Sequence, residues 1–197
     1  MKIGLYFGSF NPIHVGHLII AEHVVYHTQM QQVWLVVSPQ NPLKKSATLL
    51  NEYDRLNLVN LAIKGNEKLH ATDVEFRLPK PSYTITTLAY LEEKYPQHEF
   101  FVILGSDSFL NLKNWKNYNA LIKNYSFLVY QRPGFLVDKT KITDTIRYEL
   151  LNAPLLDISS SFIRQQVKEK KSIRYLVPEA VLNEIENNRY YTNDLKV

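Results

Sequence analysis

KIGLYFGSFNPIHVGHLIIAEHVVYH, running from Lys2 to His27, decides the architecture. Its opening KIGLYF is a short apolar run of the kind a buried strand needs. Its closing VGHLIIAEHVVYH places apolar residues at helical spacing. A strand that turns directly into a helix begins a strand–helix–strand unit. The turn between them, GSFNPIH, carries more than a connection requires. Gly8 has no Cβ and lets a ligand approach the backbone closely. Asn11 is a good helix cap, and Pro12 is tolerated in a first turn. The helix start presents unpaired N–H groups and a partial positive charge, which favours phosphate. His14 and His17 are three residues apart, share a helix face and can both donate to one polyphosphate. Gly16 between them leaves room for a flat group such as a base. Read alone, the pair is equally compatible with two surface histidines or half of a metal site.

The same alternation continues along the chain. VWLVVS, HATDVEF, EFFVILG and YSFLVYQ read as strands. EYDRLNLVNLAIKG, SYTITTLAYLEEKY, SSSFIRQQVKE and PEAVLNEIENN read as helices, with Gly65 and Pro96 ending the first two. EFFVILG is apolar almost throughout, as a strand buried on both faces would be. The pattern predicts an α/β fold with a doubly wound open parallel sheet. In such a sheet ligands bind beyond the carboxyl ends of the strands, at a topological switch point. The Gly8–His17 turn falls at such an end.

Length and composition narrow the rest. At 197 residues, the chain is expected to form one domain over 1–197, with a C-terminal helical part at about 158–190. There is no cysteine, which removes disulfides, thiolate metal sites and cysteine nucleophiles. MKIGLYFGSF reads as a strand and its turn, not as a signal peptide. The run LIIAEHVV is too short and too charged to cross a bilayer. A cytoplasmic protein is the expectation. The net charge of +4 suits a phosphate-bearing ligand and equally a solvated lysine surface. The six glycines form neither G-x-G-x-x-G nor G-x-x-x-x-G-K-[ST], so phosphate would have to be held by another device.

At this point specific strings take over. GSFNPIHVGH (Gly8 to His17) resembles the G-[GST]-F-D-P-x-H-x-G-H signature of the nucleotidyltransferase superfamily. ISSSFIR (Ile158 to Arg164) resembles its second signature, I-S-S-T-x-I-R. EFRLPKPSYTITTL, GSDSFLNLKNW, RPG (Arg132 to Gly134) and YLVPEAV are similar to segments of bacterial nicotinate-mononucleotide adenylyltransferases, in the same order. Asn11 stands in place of the usual Asp, Ser161 in place of Thr and Phe7 where glycine is common. SPQNPLKK is a loose version of the family's P-N-N-x-P-P-H-[KR] loop.

The resemblance implies a Rossmann-like nucleotidyltransferase fold and a reaction. An adenylyl group passes from ATP to nicotinate mononucleotide, giving nicotinate adenine dinucleotide and pyrophosphate. It implies His14, His17, Ser161 and Arg164 as the residues that manage charge during transfer. Around ATP it implies Gly8, Ser9, Phe10, Gly16, Ile158, Ser159 and Ser160. Around the acceptor it implies Asn41, Lys44, Lys45, Tyr83, Thr84, Asp107, Trp115 and Arg132. Trp115 would stack on the nicotinate ring, with Thr84 beside its carboxylate and Asp107 at ribose hydroxyls. Mg²⁺ would arrive with ATP, and no dedicated protein metal cage is expected. No nucleic-acid or membrane partner is expected, and self-association is left open. Two other readings stand beside this one. A sister enzyme acting on another phosphate monoester, such as phosphopantetheine, would keep both signatures. A non-catalytic nucleotide sensor or RNA-binding module would keep the fold.

Overall fold

In the computed structural model, residues 1–39, 49–143 and 145–192 are described. Six strands form one sheet: β1 (Lys2–Gly8), β2 (Gln32–Val37), β3 (Leu69–Thr72), β4 (Glu99–Gly105), β5 (Ser126–Tyr130) and β6 (Tyr148–Leu151). Their order is β3-β2-β1-β4-β5-β6, and every pairing is parallel. The chain therefore winds outward from β1 to β3, then crosses back and winds outward from β4 to β6. The switch point lies between β1 and β4, where Tyr6 is in register with Ile103.

Period-two alternation divides the core between the two faces. Val33, Leu35 and Val37 of β2 join one apolar cluster. It is covered by α1 (Val15–His27), α2 (Glu52–Ile63), α6 (Ser160–Lys168) and α7 (Glu179–Asn187). Ile3 and Leu5 of β1 join the other. That cluster is covered by α3 (Thr84–Lys94), α4 (Ser106–Leu110) and α5 (Tyr118–Asn124). Burial on both faces explains why β1, β4 and β5 read as nearly continuous apolar runs.

Two local readings are corrected. The strand expected over HATDVEF stops at Thr72, and Val74–Arg77 coils into a 3-10 turn. Its alternation of polar and apolar residues matched a strand. The turn instead buries Val74 and Glu75 together, which a strand with one face to solvent would not do. In addition, β6 was not foreseen. YELL is a short edge strand that pairs with β5 alone, so it lacks the apolar run of a central strand.

Candidate active site

The first signature forms the connection from β1 to α1. Phe10 has a left-handed φ of 43°, which is uncommon for a bulky residue. The strain is held because its ring is fully buried beneath Gly8. A Cβ on Gly8 would lie 2.8 Å from the ring's Cζ. His14 caps α1, and its backbone N–H donates to Nδ1 of His17 at 3.3 Å. The two imidazoles stack with centroids 3.7 Å apart. Phe10 and Tyr6 meet the His17 ring edge-on, at 5.0 and 5.9 Å. Gly16 is buried, and a Cβ there would lie 3.0 Å from His14 Nδ1 and 3.7 Å from Ile158. The room left by Gly16 on that side is thus taken by the chain's own imidazole.

The second signature folds onto the backbone of the first. Ser159 caps α6, its hydroxyl accepting from the Phe162 N–H at 3.2 Å. Ser160 Oγ donates to the Pro12 carbonyl at 2.9 Å. Arg164 Nη1 donates to the Asn11 carbonyl at 2.8 Å, and Nη2 to Ser161 Oγ at 3.3 Å. Asn11 is itself buried, and its Oδ1 accepts from the Leu50 N–H at 3.2 Å. The amide side chain at this position is therefore an anchor for the chain entering α2.

Across the switch point, the ends of β4 and β5 carry a second group. Arg132 Nη1 pairs with Asp107 Oδ2 at 3.1 Å, and the Arg132 N–H donates to Ser106 Oγ at 2.9 Å. Asp107 Oδ1 is buried and takes no hydrogen bond among the described residues. Gly105 makes room for this pair, since a Cβ there would lie 2.9 Å from Arg132 Cδ. Tyr6 and Tyr130 share a hydrogen bond at 3.2 Å and link the two groups. Burial raises both phenols above their ordinary range, so they act here as neutral hydroxyls.

Tyr83 and Thr84 stand at the start of α3. Trp115 follows a 3-10 turn over Leu112–Asn114 and packs, half-buried, on the second apolar cluster. The Lys116 ammonium lies 4.2 Å from the centre of the Tyr83 ring, which brings the Trp115 and Tyr83 segments together. Asn41, Lys44 and Lys45 lie outside the described residues.

The electrostatics have a clear sign. His14 is held down to about 4, first by burial and then by the Arg132 cation. Near neutral pH it is an uncharged imidazole with one N–H to give. An arriving triphosphate would counter the Arg132 cation and so favour the protonated imidazole. There is also a stability consequence. The unfolded imidazole titrates near 6.5, so between about 4 and 6.5 the unfolded chain binds more protons. His14 then contributes fully above pH 6.5, and the contribution is lost as pH falls. Between pH 7.5 and 5 the loss is about 2 kcal/mol. Thermal unfolding of the ligand-free protein at those two pH values should show a smaller acid destabilisation in His14→Gln than in the wild type. Equal pH slopes for the two proteins would contradict the buried, uncharged state.

Three residues at the site were not foreseen. Arg55 of α2 is fully buried and donates to four carbonyl oxygens. Nε reaches Leu50 at 2.8 Å, Nη1 reaches Ser9 at 2.6 Å and Ser38 at 2.8 Å, and Nη2 reaches Pro39 at 3.1 Å. It ties the turn after β1 to the end of β2 and to the entry of α2. A signal for it exists in the sequence, because Arg55 sits in register with the buried Leu58 and Val59 of its helix. Glu75 and Lys116 had no such signal: Glu75 falls where a strand was expected, and the partner of Lys116 lies in another segment.

A parallel sheet with a glycine-bearing turn at its switch point, clamped by a distant Ser/Arg helix, is the arrangement of a nucleotidyltransferase. The chain belongs to the cytidylyltransferase-like family, whose model matches residues 5–166, and within it to the nicotinate-nucleotide adenylyltransferases. It is 51% identical, over 98% of its length and 100% of the relative's, to a protein of Cytophaga hutchinsonii named probable nicotinate-nucleotide adenylyltransferase. A Flavobacterium psychrophilum protein of the same name is 47% identical over 97% of this chain and 99% of its own. The fold superposes on Plasmodium falciparum nicotinic acid mononucleotide adenylyltransferase complexed with NaAD. The TM-score is 0.83 at 23% identity, with 96% of this chain and 97% of the other covered.

Proposed function

We propose that this chain transfers the adenylyl group of ATP to nicotinate mononucleotide, releasing pyrophosphate. The observation that carries the reading is the closure of Ser160 and Arg164 onto the Pro12 and Asn11 carbonyls. It collects His14, His17, Ser161 and Arg164 at the carboxyl end of β1. The names of the relatives supply the acceptor.

The chemistry fits these groups. A phosphate monoester has a second pKa of about 6, so near neutral pH its oxygen is already an anion. It attacks the α-phosphorus, the bond to the bridging oxygen of the β-phosphate breaks, and pyrophosphate leaves with that electron pair. No general base is needed. The task is to bring anions together and to stabilise charge on the transferred and leaving phosphates. His14 and His17 supply imidazole N–H groups and Ser161 a hydroxyl. Arg164, with Nη1 on the Asn11 carbonyl and Nη2 on Ser161 Oγ, turns its remaining N–H groups to phosphate. Mg²⁺ bound to the triphosphate supplies further charge neutralisation. Imidazole, hydroxyl and guanidinium donors suit phosphate oxygens, so the ion would take its ligands from phosphate and water.

On the acceptor side, Asp107 offers the ribose a buried oxygen that has no other partner among the described residues, and Trp115 offers a ring face to the pyridine. Thr84, Tyr83 and Arg132 complete that half. Asn41, Lys44 and Lys45 stay in the proposal on the resemblance of their segment alone. The chain is proposed to act as one domain on small molecules in the cytoplasm.

The test is pyrophosphate release with ATP and the two pyridine mononucleotides side by side. Nicotinate mononucleotide should exceed the nicotinamide form in kcat/KM by at least about tenfold. Equal values would remove the acid-specific acceptor. Turnover confined to phosphopantetheine would assign the chain to the sister reaction.

A further inference from the structure

Glu75 belongs to the 3-10 turn after β3, in the interior of the molecule, where it is 2% exposed. Both of its carboxyl oxygens are occupied. Oε2 accepts from Ser82 Oγ at 2.7 Å, and Oε1 accepts from Thr87 Oγ1 at 2.9 Å. Ser82 and Thr87 are buried as well. Asp73, two residues away, has a different environment: it is half-buried and pairs with the exposed Arg77 at 3.5 Å. Apolar side chains of similar volume fill such a place at no loss of stability, because burying a carboxyl is costly. A fully satisfied polar trio instead fixes one geometry. What it fixes is specific. Ser82 and Thr87 bracket Tyr83 and Thr84, the start of α3, and Tyr83 in turn receives Lys116 beside Trp115.

We propose that Glu75 is a positioning residue for the acceptor half of the site, holding Tyr83 and Thr84 against the mononucleotide through the Ser82 and Thr87 hydroxyls. This rests on the functional reading above. Glu75 touches no substrate and acts through α3. The ATP half, built from α1 and α6, does not depend on it.

Steady-state kinetics on the full chain with both substrates varied separate the possibilities. Glu75→Ala should raise KM for nicotinate mononucleotide about tenfold, the loss of one or two buried hydrogen bonds, and leave KM for ATP within about twofold. Glu75→Gln should recover most of that loss, since an amide accepts from one hydroxyl and donates to the other. Ser82→Ala retains the Thr87 arm, should fold even where Glu75→Ala does not, and should raise the same KM about threefold. A general loss of structure would move both KM values together, and that result, or an unmoved mononucleotide KM, overturns the proposal. The wild type is measured in the same series. If it fails to turn over nicotinate mononucleotide, the functional reading falls. If it succeeds and the variants match it, only the role of Glu75 falls.

Discussion

Arg55→Ala is expected to lower the melting temperature by roughly 10 °C, because four buried carbonyls lose their donor at once. Hydrogen bonds from a charged donor are each worth about 1.5–3 kcal/mol, and they do not add fully. A total near 4 kcal/mol is the expected scale, from lost bonds and the space left by the side chain. Burial lowers the guanidinium's affinity for its proton, yet it stays charged at neutral pH. The charge is therefore balanced by carbonyl dipoles, and Arg55→Lys should recover only part of the loss. Lysine keeps the charge but has no planar fork with which to reach Ser9, Ser38, Pro39 and Leu50 together. Melting curves of the two variants decide the matter. A fall of under about 2 °C for the alanine variant would mean that the carbonyls find other donors.

His17→Ala should reduce kcat by about 10²- to 10³-fold while the fold stays intact. The side chain is only partly buried, and its ring lies between the Phe10, Tyr6 and His14 rings. Its removal leaves the Tyr6 and Phe10 rings in contact with each other. The expected effect thus falls on transition-state charge, which forms as pyrophosphate departs. KM for ATP should change much less than kcat, because the ground-state triphosphate keeps Arg164 and the start of α1. Retention of near wild-type turnover would show that the imidazole does not face the reacting phosphate.

The contrast between these residues explains what sequence reveals. The Gly8–His17 turn was readable because its physics is local. A strand end, a glycine and two histidines at helical spacing lie within a few residues of each other, although the cap of α1 is His14 and not Asn11, which anchors Leu50 instead. The parallel sheet was readable from alternation, since burial on both faces gives strands a distinctive composition. Arg55 was not seen because its partners are backbone carbonyls, and every residue has one. Glu75 was not seen because the pattern DVEF satisfied a strand as well as it satisfied a turn. The short edge strand β6 gave no periodic signal. The acceptor half was reached only through resemblance. Tyr83 comes from the β3–β4 connection and Asp107 and Trp115 from the β4–β5 connection, and spacing along the chain says nothing about how the two connections relate.

The long reach of the Ser160 and Arg164 bonds has one more consequence. They join residues 148 and 153 positions apart. During synthesis, most of the sheet's strands leave the ribosome well before α6 is made. The proposed nucleotide cradle is therefore incomplete until α6 has been made.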